Sequence, residues 1–254
     1  MIFRKIKAHI EKENWFAVCI DFLIVVVGVF IGIQVANWNE SNATYQRETQ
    51  LLKDLKSEIQ KSIVTTNHLI DSFEQVAAAG KRSLQFIDAQ KPCEQNCWAV
   101  VVDFMHASQW QDISVRRSTY ESMRNLGFPK NTQIVDAVES YLNQNSDNAD
   151  VMRVFPYYRT LVRQIVPYDA AESYWANCYS LVDGTERYVL DCKQEILDEE
   201  AKRIVGNIVG NPKIKPHLNK WFGDIVSFPQ TFRDQNQSAQ YAISLIDQEL
   251  KKRR

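Results

Sequence analysis

The segment "CIDFLIVVVGVFIGIQVANWNE", Cys19 to Glu40, constrains this chain more than any other part of it. Between Trp15 and Trp38 the only charged side chain is Asp21. As a helix the stretch is about 35 Å long, enough to cross a bilayer with modest tilt. Trp15 and Trp38 stand at its ends, where indole rings prefer the boundary between hydrocarbon and water. Arg4, Lys5, Lys7 and Lys12 precede it, whereas the first basic residue after it is Arg47. Positive charge is retained on the cytoplasmic side of a span, so the expected layout is a basic cytoplasmic N-terminus over 1–14, a transmembrane helix over 15–38 and an extracytoplasmic domain over 39–254. That layout is a single-pass protein whose C-terminal domain lies outside the cytoplasm.

Two other readings share the pattern. A cleaved export signal also opens with basic residues and an apolar run, but its apolar core spans about 7–15 residues, and Gln34-Val35-Ala36 is a poor small-x-small cleavage site. A buried helix of a soluble domain seldom runs so far without polar interruption. The retained anchor fits best.

Within the span, Gly28, Gly32 and Ala36 recur at steps of four and share one helix face. Small residues so spaced let two helix backbones approach closely, which points to a membrane-protein partner or to self-association. Asp21 and Gln34 are the polar exceptions. An acid inside hydrocarbon faces a partner, a cavity or a proton path. Asp21 lies about two turns from Trp15, so hydration or pairing at the inner interface competes with a proton-relay role.

Outside the span the chain reads as mostly helical. Only 8 glycines and 7 prolines occur in 254 residues, too few for the many turns of a β-sandwich or barrel. Leu52, Leu55, Ile59, Ile63, Thr66, Ile70, Phe73 and Ala77 follow steps of three and four, the mark of a long amphipathic helix. Gly80 weakens that helix, and the stretch from Asp88 to Cys97, with Pro92, ends the short helix after it. Further helices are expected over Trp98–Trp110, Ser118–Leu126 and Gln133–Asn143, the last capped by Thr132. The polar run 143–150 is either a loop or one face of a helix extending through Val151, Val154 and Tyr158. Asp183-Gly184 is a tight-turn signal for a small hairpin near 180–190. Helices follow at Lys193–Ile208 and Gln230–Lys252, the latter with an apolar stripe suited to packing on the first amphipathic helix. The fold class is therefore mainly α: a transmembrane helix and one helical bundle domain, large enough to hold its own core.

Four cysteines form two sequence-close pairs, Cys93 with Cys97 and Cys178 with Cys192. An even number in an oxidising compartment suggests disulfides, although four cysteines allow three pairings. Four buried thiols or a zinc site are the alternatives; neither spacing is that of a zinc knuckle.

No catalytic constellation stands out. His9, His68, His106 and His217 make no metal or protease motif. The acids Asp191, Glu195, Asp198, Glu199 and Glu200 lack the order of a calcium loop and suit a solvated helix face. "GNIVGNPK" lacks the ending of a phosphate loop, and no nucleophile elbow occurs. Asn42-Ala43-Thr44 and Asn236-Gln237-Ser238 match the glycosylation sequon, which has meaning only in a eukaryotic source. With 30 basic and 31 acidic residues, the formal charge of -1 gives no hint of a nucleic-acid partner. Phe155, Tyr157, Tyr158, Tyr168, Tyr174, Trp175 and Tyr179, interleaved with Arg159 and Arg163, suit core packing first and a ligand pocket second.

The stretch "LIVVVGVFIGIQVANWNE", with Asp21 before it, resembles the N-terminal signature of a family of uncharacterised bacterial single-span membrane proteins. The matching positions are Asp21, Gly28, Gln34, Asn37, Trp38, Asn39 and Glu40, with Asp21 in place of the Glu expected there. "STYESMRNLGFPKNTQIVDAVESYL", Ser118 to Leu142, is similar to a second block of that family. The two blocks cover about a fifth of the chain. The resemblance implies a bacterial inner-membrane location and supplies no catalytic residue and no cofactor.

The chain therefore reads as a non-enzymatic, membrane-anchored interaction or accessory subunit. The alternatives are a periplasmic ligand-binding module and a subunit coupled to ion flow through Asp21. An unrecognised enzyme has the least support, and no cofactor or metal is expected.

Overall fold

A computed structural model describes residues 15–182 and 184–253, with side chains from Cys19 onward except that of Thr185. Arg4, Lys5, Lys7, Lys12 and the Trp15 side chain, on which the orientation argument rests, lie outside what is described, as does Asp183. Nine helices are described: α1 Trp15–Ala89, α2 Cys97–Ala107, α3 Ser118–Asn125, α4 Thr132–Met152, α5 Tyr157–Ile165, α6 Tyr168–Asn177, α7 Asp198–Gly210, α8 Ile214–Ile225 and α9 Phe228–Lys252. Two short strands, β1 Tyr179–Val182 and β2 Thr185–Tyr188, pair antiparallel with Tyr179 opposite Tyr188. The chain is mainly α, as its sparse glycine and proline foretold. It divides into two compact units at the Leu51–Leu52 junction.

In the first unit, α1 is long and apolar enough to cross a membrane, and nothing in its most apolar window is buried. Phe22, Leu23, Ile24, Phe30 and Ile31 are all exposed by half or more.

The second unit has a conventional core. Leu52, Leu55, Ile59, Thr66, Ile70 and Phe73 turn inward along α1, as their spacing requires. Helix α2 is apolar nearly all round and is correspondingly buried, with Trp98, Val101, Val102, Phe104 and Met105 inside. It packs on α5 and α7, and α9 packs mainly along α4. α9 also touches α1: Phe73 meets Phe228 with ring centroids 5.2 Å apart, Asn236 donates to Asn67 at 2.8 Å, and Lys56 pairs with Asp247. The apolar stripe of α9 thus serves two neighbours where one was expected.

Several local expectations change. α1 continues unbroken through Gly80 to Ala89. Burial explains the tolerance: a Cβ at Gly80 would stand 3.1 Å from the Phe222 ring, so the missing side chain admits α8 and the contact offsets the poor helix propensity. Asn131, and not Thr132, caps α4, its Oδ1 accepting from the Gln133 amide at 3.0 Å. The polar run 143–150 is helical, and α4 ends at Met152 because Pro156 blocks continuation toward Tyr158. α7 begins at Asp198 instead of Lys193, placing Asp198, Glu199 and Glu200 at the positive end of the helix dipole. α5, α6 and α8 were not anticipated. After α3, Gly127 takes a left-handed backbone (φ 76°), and the Phe128 amide reaches back to the Met123 carbonyl at 2.8 Å.

Gly80→Val is expected to lower stability by about 1–3 kcal/mol through overpacking against Phe222. Urea unfolding of the variant checks this, and an unchanged midpoint would show that α8 can retreat freely.

Candidate functional site

The structure separates the residues singled out in the sequence into four groups. Asp21, Gly28, Gly32, Gln34 and Ala36 lie on the exposed part of α1. A Cβ at Gly28 or Gly32 would meet nothing within 4 Å, so the small-residue face is open. Trp38 is exposed as well.

The cysteines pair as the sequence spacing suggested, Cys93 with Cys97 at S–S 2.05 Å and Cys178 with Cys192 at 1.98 Å. The zinc alternative loses its thiolates. Among the described residues no three His, Cys, Asp or Glu side chains gather to hold a metal ion. The second disulfide closes the base of the β1–β2 hairpin. The backbone edge of β2 is then satisfied by α1: Gln75 exchanges two hydrogen bonds with the Tyr188 backbone, its Nε2 donating to the carbonyl and its Oε1 accepting from the amide, both at 3.2 Å. Ser72 donates to the Glu186 carbonyl, and Arg187 pairs with Asp71. A two-stranded ribbon is marginal alone, and these side chains stand in for a third strand.

The aromatic and basic cluster divides in two. Tyr158 and Tyr174 are buried around the C-terminal end of α2. The last carbonyls of a helix lack intrahelical partners, so a buried helix end must find others. Here Tyr158 donates to the Phe104 carbonyl at 3.1 Å, the Gln109 amide to that of His106 at 3.0 Å, and Trp221 Nε1 to that of Ala107 at 2.8 Å. Arg159 Nη1 donates to the Ser108 carbonyl at 3.0 Å. Gln109 Oε1 accepts from both Arg159 and Arg163, at 3.0 and 3.1 Å, and its Nε2 donates to the Tyr174 hydroxyl at 2.9 Å. Burial lowers the pKa of both guanidiniums, that of Arg163 to about 10. Arg163 also lies over the Trp175 ring, 5.2 Å from its centroid.

His106 completes the network. Its Nε2 must donate to the Val189 carbonyl at 3.1 Å, which leaves Nδ1 to accept the Tyr174 hydroxyl proton at 2.7 Å. Burial pushes its pKa down to about 4. With both ring nitrogens engaged and the ring fully buried, His106 has no lone pair to offer a substrate, and its role is to organise the core.

Of the remaining aromatics, Tyr168 is exposed and Tyr179 meets the Trp175 ring edge-on at 4.9 Å, while Phe155 and Tyr157 face outward and help wall a cavity of about 290 Å³. Its other walls include Trp110, Met152, Trp221 and Phe228, drawn from α4, α8, α9 and the link after α2. Trp110 and Phe155 stack with centroids 4.5 Å apart, and Tyr157 meets the His217 ring edge-on at 4.7 Å. A larger hollow of about 610 Å³ between α4 and α9 is lined largely by amides, hydroxyls and acids, including Gln133, Asp136, Ser140 and Asp234. Sequence reasoning found Phe155 and Tyr157 but missed Trp110, His217, Trp221 and Phe228. The spacing Ile214, Leu218, Trp221, Ile225 was the available signal for α8 and the Trp221 wall.

Two outcomes follow. A neutral, buried His106 binds no proton until about pH 4, whereas the unfolded chain binds one below 6.5, so stability falls as pH drops from 6.5 toward 4 and levels off beneath. The loss amounts to about 3 kcal/mol at most; denaturant unfolding at pH 7.5 and 5.0 should show it in the parent, and His106→Gln should lack that component. Reduction of Cys178–Cys192 frees a separation of 14 residues and should cost about 3 kcal/mol by loop entropy, read as a lower Tm in dithiothreitol.

Comparison with models of protein families, with curated proteins and with solved structures finds no match to this chain.

Proposed function

We propose that the chain is a membrane-anchored, non-enzymatic interaction or accessory subunit. The observation that supports this most is the apolar part of α1: the most apolar window of a helix long enough to span a bilayer is entirely unburied. Each large apolar side chain left in water forgoes about 1.5–3 kcal/mol, so a run of them calls for a lipid or protein environment. The two disulfides favour an oxidising compartment for residues 52–253, consistent with a periplasmic domain on a bacterial inner membrane. The resemblance of the Asp21–Glu40 block to single-span bacterial membrane proteins agrees with that placement. Gly28, Gly32 and Ala36 offer the face along which the anchor meets a membrane-protein partner or a second copy. Asp21, beside that face at the inner edge of the span, pairs within the contact.

Membranes carrying the full chain should retain it through alkaline carbonate washing, and chemical crosslinking should trap one stoichiometric partner. Gly28→Ile with Gly32→Ile should leave the chain in the membrane and abolish the crosslink. Release by carbonate would overturn the anchor. A crosslink that survives the double substitution would overturn the glycine contact.

A further inference from the structure

The segment from Val151 to Tyr157 departs from the usual rule for a domain surface. Val151, Val154, Phe155 and Tyr157 are 66%, 75%, 60% and 50% exposed, crowded into seven residues that run from the end of α4 to the first residue of α5. They surround the 290 Å³ cavity, whose floor is Trp221 and Phe228. Isolated exposed apolar residues are ordinary; a clustered rim around an aromatic cavity marks a binding site.

The walls are held in place before anything binds. Trp221 is fixed by its hydrogen bond to the Ala107 carbonyl and by an edge contact with Phe228 at 5.9 Å. Trp110 is braced by Phe155, and Tyr157 by His217. A pre-formed cavity spares a ligand the cost of ordering it. Its volume falls at the low end for ligand sites, room for one ring system or one branched aliphatic chain.

The polar edge narrows the chemistry. Lys220 and Asp224 both line the cavity, one helical turn apart on α8, and both are exposed. Among the described residues neither forms an ion pair, with the other or with any further group. A cation and an anion so placed can take a carboxylate and an ammonium from one head group. We propose that this cavity binds a free apolar α-amino acid, its side chain between Trp110, Phe155 and Trp221, its carboxylate toward Lys220 and its ammonium toward Asp224. The site lies wholly within residues 52–253 and does not depend on the anchoring role.

Isothermal titration of the full chain in lipid nanodiscs with L-tryptophan and L-leucine should show one site per chain. Indole-3-propionate, which lacks the ammonium, and tryptamine, which lacks the carboxylate, should each bind at least about tenfold more weakly than L-tryptophan, because each leaves a partner charge unmet. Lys220→Ala should bring L-tryptophan to the level of tryptamine without altering tryptamine itself. Phe155→Ser, at an exposed position, should weaken every indole ligand by about tenfold or more while leaving thermal unfolding unchanged. No binding by either amino acid would overturn the proposal, as would binding indifferent to Phe155→Ser. N-acetyl-tryptophanamide mimics a side chain displayed on a protein; binding as tight as that of L-tryptophan would also overturn it and make the cavity a protein-docking feature.

Discussion

The buried C-terminal end of α2 is the point on which the second unit is organised. A helix end in the core exposes carbonyls that water cannot reach, and each must be met by a donor from elsewhere. Tyr158 and Arg159 from α5 and Trp221 from α8 supply donors directly, while Arg163 and the α6 residue Tyr174 join through Gln109 and His106. Each donor fixes the rotation of its own element, so the requirement of one helix end sets the arrangement of three others. Long aromatic and guanidinium side chains suit this duty because they combine apolar bulk with a polar tip.

This accounts for the thin catalytic inventory. Residues that in isolation look reactive, His106, Arg159, Arg163 and Tyr174, are engaged in satisfying one another and the backbone. The most perturbed groups of the domain are perturbed chiefly by burial. Perturbation of that origin signals a functional site only when the group also faces a cleft, and fully buried His106 and Tyr174 do not.

Much of the architecture was legible in the sequence, for identifiable reasons. The inward stripe of α1 and the apolar faces of α4 and α9 have helical periodicity strong enough to survive any context. The two cysteine pairs were suggested by their short separations, with the choice among three pairings left to the structure, and the hairpin by Asp183-Gly184. Gly80 misled because its propensity is local while its reason, the Phe222 ring, is more than a hundred residues away. Thr132 and Asn131 are both competent caps, and only backbone geometry chooses between them. The aromatic cluster could not be apportioned from sequence either. Tyr157 and Tyr158 are neighbours in the chain yet point to a solvent-lined cavity and to the core, respectively.

The contact at Gly80 has a reach beyond its own packing. Phe222, which fills the space that a side chain at position 80 would occupy, neighbours Trp221 on α8, and Trp221 floors the aromatic cavity while His217, Lys220 and Asp224 edge it. The absent Cβ therefore acts as a spacer gauge for α8, and cavity width is set partly by a residue that touches no cavity atom. Variation at position 80 would tune what the cavity accepts while leaving every lining residue unchanged.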